Sequence, residues 1–204
     1  MLFTHAFAEV SMRAEMGVRY REAQFSPSEA VGITGLSLGM QRDWRSNKLL
    51  RAREGGRASF SPREVAEMRV MVKLRGLGLP LQDCRSVADQ AGPAVIFAAL
   101  SNHLEEAIAV DGPEDTAAEL METLQEHRGR ASSLLSLADV PSVEHAYRHA
   151  LVEKGECFLV RGLDDTTVDE HVEVAGIVNL WAVAEAIVKA SPRPLFTIVL
   201  GRAA

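Results

Sequence analysis

The chain writes the same helix start twice. Ser26-Pro27-Ser28-Glu29 and Ser61-Pro62-Arg63-Glu64 each set a capping serine before a proline at the first helical position, with a glutamate at the capping-box position. Two helix origins are thereby fixed, and the residues between them must fit a compact unit. Gly35 closes the first helix, and Ser37 caps another over Leu38-Gly-Met-Gln-Arg-Asp-Trp-Arg-Ser46, about 13 Å long at the α-helical rise. At about 100° per residue Leu36, Met40 and Trp44 cluster on one face, opposite Gln41, Arg42 and Arg45, with Leu38 discordant. Glu54-Gly55-Gly56, with short flanks, predicts a hairpin. The helix from Ser61 carries Val65, Met68, Met71, Val72 and Leu74 at three- and four-residue spacing and stops at Gly78. After Pro80 a short helix runs from Leu81 to about Gln90, with Leu81, Cys84, Val87 and Ala88 on one side.

Charge divides the chain. Residues 1–92 hold 14 Lys and Arg against 10 Asp and Glu, a net +4, whereas residues 93–204 hold 8 against 18, a net −10. Within the first part Arg42, Arg45, Lys48, Arg51, Arg53 and Arg57 face only Asp43 and Glu54. Such a local basic stripe on an acidic chain fits a polyanion-binding module, and it also fits a solvated helix end. With 47% hydrophobic and 25% charged residues the composition is that of a globular chain. No apolar run approaches the ~20 residues of a membrane helix, and the start, which contains Glu9, lacks a secretory pattern. The expected location is therefore cytoplasmic, nucleoid-associated, with no membrane partner. Residues 1–24 have no clear period, and Met12 and Met16 are alternative starts, so this stretch reads as an extension.

Gly92-Pro93 coincides with the charge reversal and is read as a domain boundary. Beyond it two helices are expected, about Ala94 to Val110 and Glu114 to Leu137. The second carries a heptad-like seam of Ala117, Met121, Leu124, Arg128, Ala131 and Leu135, which suits either a dimer contact or an ordinary core. A helix at Val143–Glu153, a strand at Cys157–Val160, a helix at Asn179–Ala190 and a strand at Leu195–Leu200 complete the reading. The fold class is thus mostly α with short strands: an N-terminal winged helix-turn-helix and a C-terminal helical or α+β region. His145 and His149 would share a helix face, but the residue after the first is Ala146 where a zinc hydrolase needs its glutamate. Cys84 and Cys157 are too few for a disulfide framework and are read as reduced and buried. No catalytic residue, metal ligand or cofactor is assigned, and no enzyme is expected.

Helix, tight turn, basic-faced helix, hairpin and capped helix are the order of a winged helix-turn-helix DNA reader. Phe60-Ser-Pro-Arg-Glu-Val-Ala-Glu-Met68 and its continuation to Leu77-Gly-Leu-Pro-Leu-Gln-Asp-Cys84 resemble the mercury-resistance regulator (MerR) type of bacterial transcription factor. The resemblance covers about Phe25 to Ala91. Thr34-Gly-Leu-Ser-Leu-Gly-Met-Gln-Arg-Asp-Trp-Arg-Ser-Asn-Lys-Leu-Leu50 is similar to the family's recognition helix, with Arg42 at its phosphate-contacting arginine and Leu49-Leu50 at its closing pair. Asp43 stands in place of an aromatic residue, Trp44 of a Tyr and Lys48 of a Gly. The proline expected after Leu50 is absent, and the wing's Tyr-Arg reads Arg57-Ala58.

A helix of this length fits the major groove, which assigns Arg42, Lys48, Arg53 and Arg57 mainly to phosphates and Ser37, Gln41 and Arg45 to base edges or nearby backbone. The resemblance implies a homodimer that binds double-stranded DNA at a two-fold symmetric promoter or operator and acts on transcription by RNA polymerase. Residues 1–24 are then the extension, 25–92 the DNA-binding domain and 93–204 a dimerisation or effector region whose small molecule, if any, is unknown. The competing expectation is a protein-interaction or architectural module whose acidic part recruits a partner, with weak or no DNA binding.

Overall fold

A computed structural model describes residues 18–51, 58–126, 147–153, 155–161 and 175–201. Both capping boxes form. Glu29 Oε2 accepts from the Ser26 backbone N–H at 2.7 Å, and Glu64 does the same for Ser61, so α1 (Pro27–Thr34) and α3 (Pro62–Gly76) start where the serines dictate. Between them lies α2 (Leu38–Ser46). Phe25 and Phe60, just before the two caps, exchange backbone hydrogen bonds of 2.9 and 2.7 Å and close the unit at its base. Inside it Phe25, Ile33, Leu36, Trp44, Leu49, Phe60, Met68, Met71 and Leu74 are buried together.

The helix that starts at Leu81 does not end near Gln90. It runs as α4 (Leu81–Asn102) through Gly92 and Pro93, so these two residues do not interrupt the chain here. Two contacts explain how. Pro93 has no N–H to give the carbonyl of Asp89, one helical turn back, and Arg63 Nη2 approaches that oxygen instead at 3.4 Å. Gly92 faces α3 so closely that a Cβ would lie 2.9 Å from Glu67 Cγ. What reads as punctuation is a notch into which α3 docks.

Past α4 the expected helix to Val110 gives way to a single helical turn, α5 (Leu104–Ala107), and strand β2 (Ile108–Asp111). Next comes α6 (Glu114–Glu126); Arg128, Ala131 and Leu135 of the proposed seam lie outside the described residues. Strand β1 (Val18–Glu22) comes from the stretch read as an extension and pairs antiparallel with β6 (Phe196–Leu200), to which β2 adds in parallel. Tyr20 stacks on Phe196 with ring centroids 5.3 Å apart. The second sheet orders β4 (Glu156–Val160), β3 (His149–Glu153) and β5 (Ala175–Asn179), all antiparallel.

The helix expected to end at Glu153 is therefore, from His149 on, the central strand of this sheet. A short apolar run such as Ala150-Leu151-Val152 suits either state, and pairing on both sides decides it. Helix α7 (Leu180–Ala190) follows directly, with Asn179 accepting from the N–H groups of Trp181 and Ala182 at 3.0 and 3.1 Å. Its Leu180, Val183, Ala184 and Ile187 join the core that begins at Phe25, so one continuous apolar interior spans both charge halves. Arg193 braces the two from outside, pairing with the Glu29 carboxylate and lying 5.7 Å over the Phe25 ring.

The docking notch yields a test. Alanine is the better helix former, yet Gly92→Ala should destabilise the protein by about 1–3 kcal/mol, because the added methyl must push Glu67 or α3 away. Chemical denaturation reads the change, and a variant as stable as the parent would show that the helices are not in close contact at Gly92.

Candidate nucleic-acid interface

The turn between α1 and α2 is built from side chains as much as backbone. Gly35 takes φ +77°, and the buried Thr34 hydroxyl donates to Ala30 O at 2.6 Å while accepting from the Leu36 N–H at 3.0 Å. Ser37 then caps α2, its Oγ accepting from Met40 N at 3.3 Å, which uses part of the hydroxyl's capacity and leaves the side chain at the surface. Arg69 of α3 donates to Ile33 O and holds the end of α1 against the longer helix.

Helix α2 turns a different face inward from the one its apolar residues suggest. Gln41 and Trp44 are buried, whereas Leu38 and Met40 are each 43% exposed. Gln41, expected among the groups reaching base edges, instead points Nε2 at the carbonyls of Pro27 and Leu36, both at 3.0 Å. It joins the start of α1 to the turn, so the inward face follows from a polar bond that hydrophobic periodicity does not register. The outward face carries Leu38, Gly39, Met40, Arg42 and Asp43. Arg42 is exposed, and Arg45 is half-buried with its guanidinium 5.4 Å over the Phe60 ring.

The helix ends in a left-handed residue. Lys48 has φ +59°, its N–H bonds Arg45 O at 3.0 Å, and the N–H of Leu49 reaches back to Trp44 O at 2.8 Å. This pair of bonds is the Schellman arrangement, and the burial of Leu49 beside Trp44 supplies its usual apolar contact. Lysine pays a steric penalty that glycine would not in this conformation, yet it leaves a cation exposed where the chain leaves the helix.

Three residues on, Arg51 enters a network that residue spacing alone does not single out. Glu67 of α3, 2% exposed, accepts from Arg51 at 3.1 Å, Arg63 at 2.9 Å and Arg85 at 2.8 Å. The same three guanidiniums lie 3.2, 3.5 and 3.5 Å from the half-exposed carboxylate of Asp89 on α4. The i,i+4 pairs Arg63–Glu67 and Arg85–Asp89 are the signal that the sequence holds for it. Arg53 and Arg57, expected on the wing, lie outside the described residues, as does His145. His149 is on a strand, so the two histidines do not share a helix face.

Both cysteines are free thiols; Cys84 is buried and Cys157 half-buried. Burial pushes both up, with Cys157 reaching about 11, a value to which the nearby Cys84 also contributes. Among the described residues no three His, Cys, Asp or Glu side chains gather as a metal site, and no helix is long and apolar enough to cross a membrane.

Residues 25–91 match the family model described as MerR HTH family regulatory protein. The matched segment takes in both capping boxes, α2 and the part of α4 that carries Arg85 and Asp89. No curated protein and no solved structure matches the chain.

Two outcomes are expected. Lys48→Gly relieves the left-handed strain and should raise the unfolding free energy by about 0.5–1 kcal/mol, read as a higher denaturation midpoint; an unchanged midpoint would mean that the native φ is not positive. Because only the thiolate alkylates and the raised value keeps Cys157 protonated until pH approaches about 11, its reaction with iodoacetamide at pH 8 should be slower than that of free cysteine.

Proposed function

We propose that the chain is a sequence-specific DNA-binding regulator of transcription that acts as a homodimer on a two-fold symmetric promoter or operator, on cytoplasmic, nucleoid DNA. The observation that carries this reading is α2 itself. In a segment matching a regulatory helix-turn-helix family, it is anchored on one side by Gln41 and Trp44 and offers Arg42 outward, with Arg45 half-buried against Phe60 and Lys48 exposed just past its end. A basic helix held rigidly by its neighbours meets the needs of major-groove docking.

Within that reading Arg42 and Lys48, with Arg53 and Arg57 of the segment expected to form the wing, contact phosphates, and Ser37 and Arg45 reach base edges or nearby backbone. Gln41 supports the helix and does not read bases. Leu38 and Met40, exposed on the first turn, suit apolar contact with thymine methyl groups. Residues 25–92 form the DNA-binding part and 93–204 the dimerisation or effector part, since one module of this size covers few base pairs and specificity comes from two half-sites. RNA polymerase is the partner through which such a regulator acts; no effector is proposed.

One observation favours a protein-binding role instead. Phe158 and Ile177 stand 48% exposed on the second sheet, paired in register on either side of Leu151.

Selection and sequencing of bound genomic fragments, at low and moderate salt, separates the two readings. A two-fold symmetric motif that persists as salt rises supports the regulator; absence of sequence preference favours the protein-binding role. Arg42→Ala combined with Arg45→Ala should weaken binding to the selected site by about tenfold or more and flatten the salt dependence by about 0.9 for each phosphate that the variant no longer touches, with the circular dichroism spectrum retained. Unchanged affinity in the folded double variant overturns the assignment of α2 as the reading helix.

A further inference from the structure

The three arginines around Glu67 carry more positive charge than the two carboxylates neutralise, and the carboxylates are not equivalent. Glu67 is 2% exposed and takes the short bonds, at 2.8–3.1 Å; Asp89 is half exposed and takes the long ones, at 3.2–3.5 Å. Glu67 thus fixes the guanidiniums from below, and Asp89 occupies the open side where all three converge. A carboxylate oxygen held by a triangle of guanidiniums stands in for a phosphate oxygen, which accepts hydrogen bonds from arginine in the same way.

One arm of the seat comes from the segment that follows α2. Arg51 lies three residues beyond Lys48, at the start of the segment expected to form the wing, so the chain keeps it within about 11 Å of that proposed phosphate contact. On the reading proposed above, we infer that Arg51, Arg63 and Arg85 form a further phosphate-binding site, which Asp89 fills in the free protein and a DNA phosphate takes over on binding. Asp89 is a competitor within the chain, and it lowers affinity for any duplex that does not drive a phosphate fully into the seat. Glu67 is a positioning residue for the three arginines.

Removing the competitor tests this. Asp89→Asn, or Asp89→Ser where the amide disturbs folding, should bind a generic 20-bp duplex about three- to fivefold more tightly at low salt. Its log affinity should fall with log salt more steeply, by about 0.9. Neutralising the exposed Asp83 on the same helix, as Asp83→Asn, measures the gain due to net charge alone. In an Arg51→Gln background the extra gain from Asp89→Asn should vanish. A gain no larger than that of Asp83→Asn, or one that persists without Arg51, overturns the site. Inorganic pyrophosphate provides a separate arm, in which it should raise the Tm of Asp89→Asn above its effect on the parent. If pyrophosphate does so and no form of the protein binds duplex, the seat takes a free phosphate compound, and both the DNA contact inferred here and the regulator reading fail. If duplex binds but neither the duplex nor the pyrophosphate response depends on Asp89, the regulator reading stands and the seat alone is overturned.

Discussion

A carboxylate taken out of water as completely as that of Glu67 costs several kcal/mol unless charge and hydrogen bonds compensate it. Here the compensation comes from three parts of the chain at once: Arg63 one turn earlier on α3, Arg85 on α4, and Arg51 from the segment that follows α2. Each of these elements has its position set by the same buried charge. The network also explains the helix that looks broken in sequence, because Arg63, drawn in by Glu67, covers the carbonyl that Pro93 leaves without a partner, and Gly92 gives Glu67 its room. Remove the close approach at Gly92 and the ion network, the capping of that carbonyl and the placement of Arg51 all change together.

Around α2 the same economy appears in neutral form. Gln41 uses one amide nitrogen to join two backbone carbonyls, and this single bonded group rotates the helix so that Leu38 and Met40 face out. A buried glutamine with satisfied donors is as directive as an apolar side chain and more specific, since its bonds require one orientation. The outward face that results sets Leu38 and Met40 beside Arg42 and Asp43.

Local signals of short range are legible in the residue order. Ser26 and Ser61 fix both helix starts, Gly35 the turn, and the periodic run from Val65 to Leu74 the longest helix of the basic half, because each depends on neighbours within one turn. The strand at Glu156–Val160, the helix capped by Asn179 and the final strand are equally readable. What the residue order hides depends on distant partners. Gly92-Pro93 looks like a break until α3 is set against it; Ala150-Leu151-Val152 has no preference until strands pair on both sides; Val18–Glu22 becomes a strand by pairing with β6, far along the chain. At the candidate site the exposed Arg42 and Lys48 follow from the helical period and the cap. Gln41 falls on the wrong face because an angular projection ranks side chains by polarity and is blind to a buried hydrogen bond.

Helix α4 joins the two charge halves mechanically. At 22 residues it extends about 33 Å, with Cys84, Arg85 and Asp89 in the segment packed on α3 and with Val95, Ile96, Ala99 and Leu100 in the stretch beyond Pro93, all four buried. Because the backbone is continuous through Pro93 and braced there by Arg63, the two segments do not pivot independently without breaking that contact. The acidic half therefore joins the basic half through one continuous helix whose middle holds Asp89, and Arg193, pairing with Glu29 at the first capping box, supplies a second connection. The arginine cluster and the contacts of α4 with α7 thus sit on one continuous helix, Asp89 in the segment packed on α3 and Val95, Ile96, Ala99 and Leu100 beyond it.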